Sequence, residues 1–216
     1  MTENEDEIVS MLSSYRLESF GLADKSKSSN AIENYAINLQ FCCDIYKPLH
    51  LFEVCFRNKV HKEVGKIVGQ SDWLLNLRMD GSVVEQKLRC SRGSSNAKAL
   101  ESIKKYIRNT DAVYKKDKNK NPTEADLVSR QMFGFWTTFI DSPFDQTLTH
   151  KKLIKHIFPD SNKSNSEIRL ALDNIRKLRN RVFHHEPIRL RDREVKASLE
   201  QYLNILSPSI WKRFCV

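Results

Sequence analysis

Apolar residues recur along this chain at separations of three and four, the spacing of one face of an α-helix. After a short amphipathic start, Glu7 to Leu12, helical composition runs from Asn30 to about Val68. Pro48 interrupts it and predicts a turn between two helices. The second, Leu49 to Val68, gathers Leu51, Val54, Cys55, Val60, Val64 and Ile67 on one face, expected to be core. Gly81 to Asn96, with Gly93, Ser94 and Ser95, reads as a loop-rich junction. A helix follows near Ala97 to Arg108, and the polar run Lys115 to Asn121 reads as mobile. Pro122 and Thr123 open the next helix: Thr123 and Asp126 have capping-box spacing, and Leu127, Met132, Phe133, Trp136, Phe139 and Ile140 supply its apolar side. The clearest element starts at Glu167, which forms an S-x-x-E box with Ser164 and leads the stripe Ile168, Ala171, Leu172, Ile175, Leu178, Val182. Pro187 disfavours helical geometry at Glu186 and so ends this helix near His185. A last helix runs from about Arg191 to Ile205 and stops before Pro208. These elements predict an all-α fold, with no internal repeat of solenoid period.

The length of 216 residues fits a single domain over 1–216 carrying a basic, loop-rich insertion at 85–121. A 40% hydrophobic content is too apolar for a disordered chain, and six Gly with six Pro are too few for a many-turned all-β protein. The five cysteines are odd in number and lack C-x-x-C spacing, so they read as reduced core thiols. No apolar run approaches the ~20 residues needed to span a bilayer. The acidic start, Glu3, Glu5, Asp6 and Glu7, lacks the basic-then-apolar pattern of a secretory signal. The expected location is cytoplasmic, with no membrane partner.

Charge narrows the partners. The formal net charge is +9, which favours a polyanion such as nucleic acid or a membrane surface. The excess is uneven: Glu85 to Lys120 holds eleven Lys/Arg against four acids, and Arg176 to Lys196 holds eight against three. Solvated helix faces account for one such run; two runs and a positive total point to nucleic acid.

Several chemistries are missing. The six glycines never form G-x-G-x-x-G or G-x-x-x-x-G-K-[ST]. The six histidines show neither H-E-x-x-H nor Cys-His finger spacing, so no metal site and no cofactor are expected. What stands out is Arg179-Asn180-Arg181-Val182-Phe183-His184-His185, two guanidiniums, an amide and two imidazoles at a helix end. Cleaving RNA without metal needs a group near neutral pKa to move the proton of the 2′-hydroxyl or the leaving 5′-oxygen, and imidazole suits it. It also needs fixed positive charge on the reacting phosphate, which a guanidinium supplies in bidentate form. The plainer reading is that the histidines favour the helix dipole and the arginines face solvent. At about 100° per residue, Arg179 flanks the apolar stripe while His184 points almost opposite. His185 falls nearer the stripe, as the packed histidine of the two. For Arg179 and His184 to meet on one phosphate, either the helix end is distorted or the site is shared between two copies around a two-fold axis. The shared site, in a homodimer, is the favoured expectation.

Arg179-Asn180-x-x-x-His184 resembles the R-x4-6-H signature of HEPN domains, small all-helical nucleases and RNA-binding modules. A wider pattern accompanies it: Met11-Leu12-Ser13, Arg16-Leu17, Asn34-Tyr35 with Asn38, Leu51-Phe52-Glu53-Val54, Arg57-Asn58, Trp73-Leu74, Phe133-Gly134-Phe135-Trp136, Phe158-Pro159, and the run through His185-Glu186-Pro187-Ile188. In that order these residues look like the Abi family of bacterial abortive-infection proteins, of the AbiD and AbiF type. The resemblance implies a HEPN-like helical bundle and an endoribonuclease toxin of phage defence, with two motifs facing each other in a dimer and a small non-coding RNA holding it in check. It carries the catalytic roles to Arg179 and His184, with Asn180 supporting. Phe183 stands where a small residue is common in the family.

A shorter motif, Glu53-x-x-x-Arg57-Asn58-x-x-His61, has an Arg-to-His spacing one residue short of the signature. Glu53 and Arg57 at i,i+4 are expected to pair within their helix, with RNA contact as the alternative role of Arg57 and Asn58. Trp73, Phe133, Phe135 and Trp136 have stacking surfaces for bases, but at helical spacing they read as core. The expectation is a metal-independent endoribonuclease with Arg179, Asn180 and His184 as its site and His185 as the alternative. Arg181, Lys115, Lys116, Lys118, Lys120, Arg57 and Asn58 are its expected RNA contacts. The competing reading is a non-catalytic HEPN-type protein that holds a small RNA.

Overall fold

The computed structural model describes residues 3–22, 28–90, 94–150 and 152–215, and every regular element among them is helical. Two short helices, α1 (Glu3–Leu12) and α2 (Ser14–Glu18), precede the long α3 (Ser28–Val68). Then come α4 (Trp73–Leu77), α5 (Val83–Leu88), α6 (Ser94–Lys118), α7 (Glu124–Arg130) and α8 (Phe133–Thr138). A 3-10 turn at Ser142–Phe144 and a wide turn at Asp145–Thr149 lead to α9 (Leu153–Ile157), α10 (Asn165–Phe183), α11 (Leu190–Leu206) and α12 (Pro208–Phe214). No helix among the described residues is long and apolar enough to cross a membrane.

The spine is α3, and it corrects the expected break at Pro48: the helix runs through the proline for 41 residues. An interior proline removes one backbone hydrogen bond and costs roughly 3 kcal/mol. Burial on both sides offsets this, since Ile45, Leu49, Phe52, Phe56, Val60, Val64 and Val68 are all almost fully buried. Steps of four residues advance the buried position about 40° beyond a full turn. The apolar stripe therefore winds around α3, which is why α11, α8, α9 and α5 can each pack on a different part of it. α3 ends at Gly69, whose φ of 72° and the bond from the Gln70 amide to the Gly65 carbonyl (3.0 Å) form a left-handed cap.

The aromatic residues of the centre are core, as expected. Trp73, Phe133, Phe135 and Trp136 are all buried, and Trp73 meets Trp136 edge-on at 6.4 Å. A smaller cluster, Leu17, Leu22 and Ala31, seats α1 and α2 on the start of α3. All five cysteines are free thiols, as expected, but they are not core residues: Cys43 is exposed and the others are only half-buried.

The basic, loop-rich insertion at 85–121 is also corrected. Residues 94–118 are one continuous helix, so the run Lys115, Lys116, Lys118 is its last turn and not a loop. Leu100, Ile103, Ile107 and Tyr114 anchor it, and three lysines at its C-terminal end complement the helix dipole. Gly93 lies outside the described residues. One opposite-charge pair there, Lys104 and Glu85, is buried. Lys104 is 1% exposed and lies between Glu85 (3.1 Å), Glu101 (3.1 Å) and Asp80. Glu85 also binds Arg89, while Arg108 binds Asp80 at 2.6 Å.

Candidate functional site

The helix carrying the Arg-to-His motif, α10, begins as the sequence expects. The Ser164 hydroxyl accepts the Glu167 amide at 3.3 Å, and the Glu167 carboxylate accepts the Ser164 amide at 2.9 Å. Its other end departs from ideal geometry. His184 is the C-cap, with φ −97° and ψ 6°, and His185 is left-handed with φ 57°. The Glu186 amide bonds the Arg181 carbonyl (2.9 Å) and the His185 amide bonds the Val182 carbonyl (3.3 Å). This is a Schellman closure with histidine in the place usually held by glycine. Of the two alternatives raised by the ideal wheel, the chain adopts the distorted end. His185 is not the packed histidine: both His184 and His185 are exposed.

His184, whose amide still bonds the Asn180 carbonyl at 2.9 Å, lines a groove of about 850 Å³ together with Arg179 and Asn180. α6 forms one wall, the segment from Arg130 through α8 a second, and α10 the third. Among the described residues the lining includes Arg130, Arg176, Arg179 and His184 and no Asp or Glu. Each guanidinium keeps its counter-ion outside the lining: Arg176 pairs with Asp173 at 2.6 Å, Arg179 with Glu53 at 3.2 Å and Arg130 with Asp117 at 3.8 Å. The groove thus presents positive charge to whatever enters it. Tyr106 and Met132, both more than half exposed, add apolar surface to its walls. The volume is within the range of small-ligand sites. An imidazole, an amide and a guanidinium in one acid-free groove can bind a phosphodiester and move a proton beside it.

Other candidate residues lie elsewhere. Glu53 does not serve Arg57 as an i,i+4 partner; it binds Arg179, and Arg57 donates to the Ser129 carbonyl at 3.1 Å. His61 sits 2.8 Å from Glu124, whose carboxylate also accepts the amides of Leu74 and Leu75 at 3.0 Å. That makes the second motif a brace between α3, α4 and α7, with Asn58 exposed beside it. Arg181 is 3.5 Å from Asp192, which pins α10 to α11. Lys115 pairs with Asp111 at 2.9 Å, whereas Lys116, Lys118 and Lys120 are exposed. Among the described residues no group of three or more His, Cys, Asp or Glu is placed to hold a metal ion.

Sequence reasoning missed the groove's Arg130, Arg176 and Tyr106, which come from three separate elements and share no motif. It also gave no role to Arg16 and Asn38. The Arg16 guanidinium donates to the His185 carbonyl at 2.7 Å, and the Asn38 side-chain oxygen accepts the Ile188 amide at 2.8 Å. Together they fasten the turn that carries His184. Compared with protein-family models, with curated proteins and with solved structures, the chain matches none.

Proposed function

We propose that this protein is a metal-independent endoribonuclease of HEPN-like type, acting as an abortive-infection toxin in phage defence under the control of a small RNA. The observation that carries the chemistry is the convergence of Arg179, Asn180 and His184 on one groove lined by four basic groups and no carboxylate. The toxin role and its small RNA rest on the Abi resemblance.

In this reading an RNA phosphate lies at Arg179, whose planar fork meets two non-bridging oxygens and keeps its proton at any working pH. The 2′-oxygen attacks phosphorus, the O2′–P bond forms and the P–O5′ bond breaks. The proton released by the 2′-hydroxyl is taken up at the His184 imidazole and is the one the departing 5′-oxygen needs. Asn180 holds the phosphate or the adjoining ribose through its amide. The products are a 2′,3′-cyclic phosphate and a 5′-hydroxyl. In this reading all three groups come from the groove of one chain, and a homodimer would hold two such grooves.

The rival reading, an RNA-holding protein that does not cut, draws on Glu53. Its carboxylate already engages Arg179, so the guanidinium must be shared with or released to a phosphate. The test is incubation of purified protein with RNA in EDTA. The nuclease reading expects cyclic-phosphate ends that vanish in His184→Ala, and the holding reading expects bound, intact RNA.

A further inference from the structure

Phe183 is the residue at which this chain departs from the motif it resembles, and it is not buried. The residue is 36% exposed, and the Arg179 guanidinium carbon lies over its ring at 4.3 Å. It also meets Tyr46 of α3, ring centroids 5.5 Å apart at 36°. Tyr46 is 51% exposed and runs nearly parallel to His50, at 8° and 6.3 Å. Phe183, Tyr46 and His50 therefore make one continuous aromatic surface outside the groove, and it begins at the guanidinium that lines the groove.

We propose that Phe183 and Tyr46 form a stacking platform for a nucleobase of single-stranded RNA, on the nucleotide adjoining the phosphate held at Arg179. The proposal rests on the nuclease reading only for the presence of RNA in the groove. Bases stack on aromatic faces with little regard to sequence, and a cation against the ring strengthens such a site. A polyanion is the occupant that charge selects, because the platform adjoins Arg179 and a groove whose other charges are all basic. A duplex keeps its bases stacked inside and cannot use the platform, so the site selects unpaired RNA.

The test uses the full-length protein and a short 2′-O-methyl RNA, which has no free 2′-hydroxyl to attack with, labelled with 2-aminopurine at successive positions. Wild type should quench the fluorescence of one position strongly. Tyr46→Leu and the double variant Tyr46→Leu/Phe183→Leu should lose that quenching and weaken binding, about tenfold for the double variant. The salt dependence should stay the same, since no charge is removed, and affinity for a duplex of the same sequence should not change. Tyr46→Phe should restore the quenching, which controls for folding. The platform is refuted if wild type binds no RNA, if the double variant binds and quenches like wild type, or if the substitutions act only by changing the mass in solution, which would make the surface a contact between copies. If quenching occurs but no natural RNA is cut, the nuclease reading fails and the platform stands; if RNA is cut but the variants bind normally, the platform alone fails.

Discussion

His185 takes the left-handed position that closes α10 directly after His184. A non-glycine residue at φ 57° is held there at a cost of about 1–2 kcal/mol, and the Arg16 bond to its carbonyl helps to hold it. His185→Gly should therefore melt at or above the wild-type temperature and keep RNA cleavage. His185→Val should be destabilised by about 1–2 kcal/mol in denaturant titration. Loss of cleavage in folded His185→Gly would move the proton-transfer role from His184 to His185. Arg16→Ala and Asn38→Ala remove the fasteners of the same turn, and they should slow cleavage more than they weaken RNA binding in a paired rate and affinity measurement. The motif itself was legible because Arg179, Asn180 and His184 are close in sequence. The fasteners were not, because they act on backbone groups 169 and 150 residues away, a separation that leaves no periodic trace.

At the scale of elements, the capped and striped helices were readable and the exceptions were local rules outweighed by burial. Ser164 and Glu167 announced α10, and Ser164→Ala should cost about 1 kcal/mol by thermal melting. Pro48 announced a break that does not occur, because the proline rule counts one lost hydrogen bond and not the buried stripe on either side. The helix expected near Ala97 to Arg108 extends to 94–118: Lys115 to Asn121 announced a mobile run, yet its start is the last turn of a helix that Leu100, Ile103, Ile107 and Tyr114 anchor. Close approach is equally invisible in sequence. A methyl at Gly65 would come within 2.9 Å of the Gln70 carbonyl oxygen, so Gly65→Ala should destabilise by about 1–3 kcal/mol. An unchanged melting temperature would show that the α3–α4 turn can give way.

For the whole molecule, the net charge of +9 lies outside the ionic cluster in which Lys104, Arg89 and Arg108 meet Asp80, Glu85 and Glu101, because three bases there balance three acids. Lys104→Ala removes one of the two cations on the buried Glu85, Arg89 being the other, and should destabilise by less than the ~3–5 kcal/mol of a fully orphaned buried charge. Burial alone would raise the Glu85 carboxyl, but bonds from Arg89, the Gly81 amide and Lys104 outweigh it and hold the group below its ordinary value. Lys177 does the same for Asp173 against partial burial, with Arg176 adding to it. A carboxyl lower in the folded than in the unfolded state stabilises fully above the ordinary carboxylate range, and that contribution is lost as pH falls through it. The melting temperature should accordingly drop on acidification through that range, and less so in Glu85→Gln/Lys104→Met. Neutralising the exposed Lys116, Lys118 and Lys120 should make the salt dependence of single-stranded RNA binding shallower, by up to about 2 in log–log slope. An unchanged slope would return that helix end to a solvated face.

The central claim is that Arg179 and His184 act on one RNA phosphate from one groove. The most direct measurement is the rate and end chemistry of RNA cleavage by wild type, Arg179→Ala and His184→Ala, each verified as folded, in the presence of EDTA. Wild type should leave 2′,3′-cyclic phosphate and 5′-hydroxyl ends, and each variant should be slower by about 10²-fold or more while binding uncleavable RNA nearly as well. Wild-type protein that binds RNA and leaves it intact, or a His184→Ala variant that cuts at the wild-type rate, would contradict it.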